Sequence, residues 1–275
     1  MRVDDALALA RAAGLARLDA QLLLAHRLQR PRVWLLAHDD AELDAPVEAA
    51  FRDDLRQRAA GVPLAYLVGE REFHGLVLQV TPAVLVPRPE TELLVDWALE
   101  LLRSDLAGRP APAVVDLGTG SGAVALAIKH RCPAAVVSAT DASTAALAVA
   151  QANALRLGID VSFLAGDWWA PLAGRRHDLA VSNPPYVAGD DPHLAALAHE
   201  PRSALTPEGD GLACLRQIVT GAPGHLRPGG WLLLEHGHDQ AAAVQTLLGE
   251  RGFEDITTRA DIAGLPRCTG GRRTA

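Results

Sequence analysis

Lysine is almost absent from this chain: Lys129 is the only one, and every other basic residue is Arg. We read the skew as compositional bias of the encoding genome. Cysteine is also scarce. Cys132, Cys214 and Cys268 lie far apart with no CxxC pair, which argues against a disulfide framework or a zinc site and suits a reducing compartment. No segment approaches the roughly 18 uninterrupted apolar residues of a membrane span. The Ala/Leu-rich start is broken by Asp4, Asp5, Arg11, Arg17 and Asp19, unlike a secretory leader. The expectation is a cytoplasmic protein without membrane partners. A basic arm is lacking as well: residues 1–80 carry ten Arg and twelve acids, the remainder sixteen basic residues and twenty-one acids. Stable, high-affinity wrapping of nucleic acid is therefore not expected. Internal repeats and low-complexity tracts are missing too.

What is present is a 275-residue chain, 49% hydrophobic and 21% charged, long enough to bury a large core. Residues 4–60 show apolar residues at helical spacing, with Leu22, Leu23, Leu24 and Leu28 in one stretch and Phe51 and Leu55 in another. Asp44 and Pro46 suit a helix start and Gly61 its end. A small helical bundle over 1–65 follows. Phe73 to Val80 alternates and Ala83 to Val86 follows Thr81-Pro82, which predicts a β-hairpin linker over 66–86. From 87 to the carboxyl end the chain alternates strand and helix. Seven strands are expected, at 113–117, 136–140, 161–165, 179–182, 231–235, 253–258 and 267–272. Such alternation means a doubly wound, mostly parallel α/β sheet, whose ligands bind beyond the carboxyl ends of the strands. Asp116, Asp141, Asp167 and Asn183 all fall just past such ends.

The chemistry centres on Asn183-Pro184-Pro185-Tyr186, which follows the apolar run Asp178–Ser182. Two prolines lack N–H donors and fix φ, so the chain must leave the sheet stiff and extended. Such a segment suits the grip of a planar –NH2 group: the Asn183 side-chain oxygen and the Pro184 carbonyl accept its N–H bonds, and the Tyr186 ring lies against its plane. The same four residues also fit a strand-end turn with a capped Asn. Upstream, Asp116-Leu-Gly118-Thr119-Gly120-Ser121-Gly122 is a glycine-rich turn between a strand and a helix, where backbone can approach a ligand. It lacks both the G-x-G-x-x-G spacing of dinucleotide binders and the G-K-[ST] of triphosphate loops, and Asp116 suits an ammonium better than a phosphate. Asp141, nineteen residues after Gly122, stands where an acid would bind ribose hydroxyls. Asp167 could accept from an adenine amino group and Trp168 could stack; at least one of Trp168 and Trp169 is expected in the core. Together these parts describe a pocket for S-adenosylmethionine. Arg88, pinned between Pro87 and Pro89, is a candidate substrate-binding residue. Glu235-His236-Gly237-His238 lacks a third ligand and is a weak metal signal, so no metal site is expected.

Four stretches, Asp116–Gly122, Asn183–Tyr186, Pro87-Arg-Pro-Glu-Thr-Glu92 and Leu232-Leu-Leu-Glu-His-Gly237, resemble the HemK-type protein-(glutamine) methyltransferases. Pro63–Phe73 and Asp191-Pro-His193 are similar to the bacterial release-factor branch. The resemblance implies the seven-stranded class I methyltransferase sheet and a small N-terminal recognition domain. It also implies methyl transfer from S-adenosylmethionine, leaving S-adenosylhomocysteine, to the glutamine of the Gly-Gly-Gln motif of peptide chain release factors. Gly118–Gly122, Asp141, Trp168 and Asn183 would contact the cofactor and Asn183–Tyr186 the acceptor. Two alternatives stay open: a glutamine methyltransferase acting on a ribosomal protein, and an adenine-amine methyltransferase, which shares Asn-Pro-Pro-Tyr but would want a basic groove.

Overall fold

The computed structural model describes residues 1–274. The chain separates into two compact units, Met1–Glu70 and Arg71 onward.

The first unit is helical: α1 (Val3–Ala12), α2 (Arg17–Leu28), α3 (Arg32–Ala37), α4 (Ala45–Ala59) and α5 (Leu64–Val68). Its core gathers Val3, Ala6, Leu23, Leu24, Leu35, Phe51 and Leu55. The Asp44 carboxylate accepts from the Val47 N–H at 2.8 Å and caps α4, with Pro46 in its first turn. Arg27 on α2 forks onto Asp54 on α4, both contacts 2.6 Å, so the acid buried between these helices carries its own counter-charge.

In the second unit β1 (Glu70–Phe73) and β2 (Leu76–Gln79) form a two-stranded sheet. The expected hairpin is present, but its strands lie earlier: the turn falls at His74 and Gly75, φ 49° and 82°, and residues 83–86 form no strand. Gly75 tolerates that φ at no steric cost, and its N–H donates to Glu72 at 2.7 Å. After α6 (Glu92–Arg103) come β3 (Ala113–Leu117), α7 (Ala123–Arg131), β4 (Val136–Asp141), α8 (Thr144–Leu157), β5 (Ser162–Ala165), β6 (His177–Ser182), α9 (Ala213–His225), β7 (Leu226–Glu235), α10 (Ala241–Glu250), β8 (Phe253–Ala260) and β9 (Pro266–Arg273). The seven-stranded sheet runs β5-β4-β3-β6-β7-β9-β8. β3 to β7 are parallel; β9 is antiparallel to both its neighbours. This is the class I methyltransferase arrangement.

Apolar runs at both faces explain why helices cover both sides. α6 buries Leu94, Val95, Trp97, Ala98, Leu101 and Leu102, and its Trp97 ring lies so close to β9 that a Cβ on Gly270 would clash with it and with Leu233. β9 can enter between β7 and β8 because glycine stands at that crossing. Lys129 closes the end of α7, its ammonium donating to the Pro133 and Ala135 carbonyls, both at 2.8 Å. Strand order reverses between β3 and β6, so both chains leaving that pair open a crevice at their carboxyl ends.

Among the described residues no helix is long and apolar enough to cross a membrane.

Candidate active site

The crevice is a cavity of about 410 Å³, within the usual range for small-molecule sites. One side is the turn after β3. Gly118 and Thr119 donate to the Thr140 carbonyl at 2.9 and 3.0 Å, and Gly120 donates to the Asp141 carboxylate at 2.8 Å. Gly118 has φ 75°, and a Cβ there would stand 3.0 Å from the Trp168 ring, so only glycine lets the indole lie on this backbone. The turn is pinned from behind by the fully buried Asn153 of α8. Its amide donates to the Ser121 carbonyl at 3.0 Å and exchanges two hydrogen bonds with Gln79 of β2.

Three acids meet the cavity: Asp116, Asp141 and Asp167. Asp116 is 2% exposed. It accepts from the Thr119 hydroxyl at 2.6 Å and from the Ala125 N–H at 3.2 Å. Burial nonetheless pushes its carboxyl up to about 7, because those two donors offset only part of the lost hydration. Asp141 is also raised by burial, against the N–H groups of Ser143 and Gly120. Each of its oxygens accepts one backbone N–H and keeps a further lone pair for a ligand hydroxyl. Trp168 lines the cavity at φ 42°, held by the Thr140 hydroxyl on its carbonyl (3.1 Å) and by its own indole N–H on Gln217 (2.9 Å). Trp169 is the core member of the pair: it is buried, donates to the Ile218 carbonyl and stacks on His225.

On the other side Asn183 and Pro185 reach the cavity. The Asn183 NH2 donates to the Thr91 hydroxyl at 3.1 Å, and its carbonyl oxygen has no hydrogen-bond partner among the described residues. Pro184 is buried. Tyr186 does not line the cavity; its hydroxyl donates to Glu235 at 3.2 Å and its carbonyl accepts from Gln240 at 2.9 Å. Gly122 likewise stands behind the wall, packed on Leu126 and Ala150. Arg88 lines the cavity, but its guanidinium is engaged by the buried Glu200, which also accepts from the Val86 N–H at 3.0 Å. His236 is buried, its ring nitrogens bonded to the Gly237 carbonyl and the Thr269 hydroxyl.

Sequence reasoning did not find Thr91, Asn153, Glu200 or the placement of Glu235. A signal existed for Glu235. It ends an apolar strand just as Asp141 does.

Residues 5–69 match the PrmC N-terminal domain and residues 92–257 the methyltransferase small domain. A release factor glutamine methyltransferase of Bordetella pertussis is 54% identical over 94% of this chain and 95% of its own length. The chain belongs to the release factor glutamine methyltransferase family. The Burkholderia pseudomallei relative of that name is 51% identical over 96% of this chain and 94% of its own. The fold reaches further than the family: a methyltransferase from Pyrococcus furiosus matches with a TM-score of 0.54 at 16% identity, over 73% of this chain and 90% of that one. In this chain the cavity joins the turn after β3 to Asn183 and Pro185.

Proposed function

We propose that the chain transfers a methyl group from S-adenosylmethionine to the side-chain amide nitrogen of the glutamine in the Gly-Gly-Gln motif of peptide chain release factors. Membership of the family supports the reaction and the substrate class. The observation that carries the site is Asn183, whose NH2 is turned to Thr91 and whose carbonyl oxygen is left for an –NH2 donor beside the cavity.

The cavity suits the cofactor chemically. Asp116 offers an unpaired buried carboxylate to an ammonium, Asp141 spare lone pairs to a diol, and Asp167 and Trp168 an acceptor and a ring face to an adenine. The backbone of Gly118–Ser121 lets the ligand approach closely. When bound, S-adenosylmethionine supplies a methyl already activated by the sulfonium charge. Asn183 and the Pro184 carbonyl take the two N–H bonds of the acceptor amide, hold its nitrogen in position and stabilise the positive charge that develops there. Pro185 completes the acceptor side, with Tyr186 behind it, its hydroxyl on Glu235. Arg88, held by Glu200, flanks the entry. The helical unit Met1–Glu70 serves substrate recognition.

The decisive test mixes the protein and methyl-labelled S-adenosylmethionine with a bacterial release factor, a ribosomal protein and duplex DNA in parallel. Mass spectrometry then locates the label. One methyl on the Gly-Gly-Gln glutamine is the expected outcome. Label in ribosomal protein or in DNA alone would replace this reading.

A further inference from the structure

Trp168 and Trp169 are consecutive in sequence, and both indoles hang on α9. Trp169 is buried, and its N–H donates to the Ile218 carbonyl at 2.9 Å. Its ring lies so close to Gly221 that a Cβ there would stand 2.2 Å from it. These contacts fix the register of α9 against the chain after β5. Trp168 lines the cavity instead. Its N–H meets a side chain and not the backbone: Gln217 of α9, at 2.9 Å.

The direction of that bond is set by chemistry. An indole nitrogen only donates, so the Gln217 carbonyl oxygen is the atom that receives it. The Gln217 side chain makes no other hydrogen bond among the described residues. Gln217 is exposed, so it adds little to the stability of the core, and α9 is already registered by Trp169. Trp168, in contrast, depends on its surroundings. At φ 42° its backbone is in the left-handed region, where a bulky residue persists only when its neighbours hold it. The Thr140 hydroxyl holds its carbonyl at 3.1 Å. The six-membered ring lies over Gly118, 3.0 Å from where a Cβ would stand. Gln217 holds the N–H edge.

We propose that Gln217 is a positioning residue for the cofactor, acting through Trp168: it holds the indole in the plane against which the adenine packs. Sequence separation explains why the arrangement is cryptic. Trp168 follows β5, whereas Gln217 lies on the helix that begins past the loop after Asn183–Tyr186. The helix downstream of the acceptor segment thereby sets the ring on the cofactor side. This inference rests on the reading above, in which Trp168 offers its ring face to the adenine of S-adenosylmethionine.

The test measures S-adenosylmethionine binding by calorimetry, steady-state methyl transfer to a release factor, and thermal unfolding. The variants are Gln217→Leu, Gln217→Glu, Trp168→Phe, the double variant Trp168→Phe/Gln217→Leu, and Trp168→Ala. Leu keeps bulk and loses the acceptor; Glu keeps an acceptor oxygen and loses the NH2. Phe keeps a ring and loses the N–H. Gln217→Leu is expected to weaken cofactor binding about fivefold, the value of one hydrogen bond. It should raise KM for the cofactor by the same factor, with kcat at saturation and the unfolding midpoint unmoved. Gln217→Glu should bind within about twofold of wild type. On the Trp168→Phe background the Leu substitution should cost nothing further, because the bond it breaks is already gone. Unchanged affinity in Gln217→Leu would overturn the proposal. So would Gln217→Glu as weak as Gln217→Leu, or an undiminished loss from Gln217→Leu on the Trp168→Phe background. Trp168→Ala with wild-type affinity would instead reject the adenine platform itself, and the proposal with it. The binding arm needs no release factor, so it stands whichever protein is the acceptor.

Discussion

The two ends of the parallel strands treat acidic side chains in opposite ways. At the amino end Asp178, 1% exposed, accepts from the Ala113 N–H at 2.8 Å and from Arg227 at 2.5 Å, with Arg109 3.5 Å away. At the carboxyl edge, Asp116 of β3 is buried and Asp141 of β4 half-buried; both accept from backbone N–H groups, Asp116 also from a hydroxyl, and neither enters an ion pair among the described residues. Asp54 in the helical unit follows the first pattern, forked by Arg27. A buried acid with its own Arg holds chain segments together. A buried acid left without one keeps unmet attraction for a positive ligand, at a cost in stability that is recovered on binding. The contrast separates acids neutralised by an Arg from acids left open beside the cavity without reference to any relative.

Four measurements would break or sharpen that contrast. The largest effect is expected at the functional edge itself: Asn183→Ala should lower turnover by about 10²-fold or more, as for loss of one aimed polar group, with the unfolding transition unmoved. Single-turnover rates near normal would take Asn183 out of the chemistry. At the opposite end, Asp178→Ala should cost roughly 2–3 kcal/mol of stability in urea unfolding, somewhat below the usual figure for a broken buried pair because both Arg residues reach solvent. The folded fraction should retain its specific activity; a loss of activity in excess of unfolding would erase the distinction between the two ends. Asp141→Ala should weaken cofactor binding about tenfold while leaving kcat at saturation nearly unchanged. Unchanged affinity in calorimetry would reject the ribose role.

The smallest effect is in pH dependence. The Asp116 carboxyl is pushed from 3.8 to about 7 by burial. The folded ligand-free protein therefore holds this proton more tightly than the unfolded chain. Its contribution to stability is present below about pH 4, is lost as pH rises towards about 7, and is constant beyond. Glu235, raised by burial to about 7, and Asp141, raised likewise, act in the same direction. Asp116→Asn should become relatively more stable than wild type between pH 4 and 7, and no further above it. Cofactor affinity should rise over the same interval in the wild type and lose that dependence in the variant. A flat difference would mean that Asp116 is ionised throughout.

Much of the sheet was legible because its signals are local. Apolar runs ending in Asp116, Asp141 and Asn183 mark strand ends, and the glycines after Leu117 mark the turn. The stiffness of Pro184-Pro185 likewise follows from covalent structure alone. The hairpin was misplaced because alternation continues from Phe73 through Gly75 into Leu76, so a tight turn resembled strand, while Thr81-Pro82 resembled the turn. What escaped entirely were pairs made across the sequence. Glu200 meets Arg88 and Glu235 meets Tyr186 only once the strands are ordered. Asn153 reaches the glycine turn only once α8 has packed. Each looks like an ordinary surface residue in its own neighbourhood, and periodicity carries no information on who stands opposite whom.

The lone lysine has a practical corollary. α7 (Ala123–Arg131) begins beside the glycine turn, and Lys129 is its seventh residue, about 9 Å along it at the usual helical rise. Apart from the amino terminus, whose nitrogen is 3.2 Å from Glu48, amine-directed reagents have one address on this protein. That address lies outside the residues lining the cavity. A fluorophore or tether attached there would sit towards the far end of the helix that follows the glycine turn, giving a defined reporter of substrate arrival without an engineered cysteine.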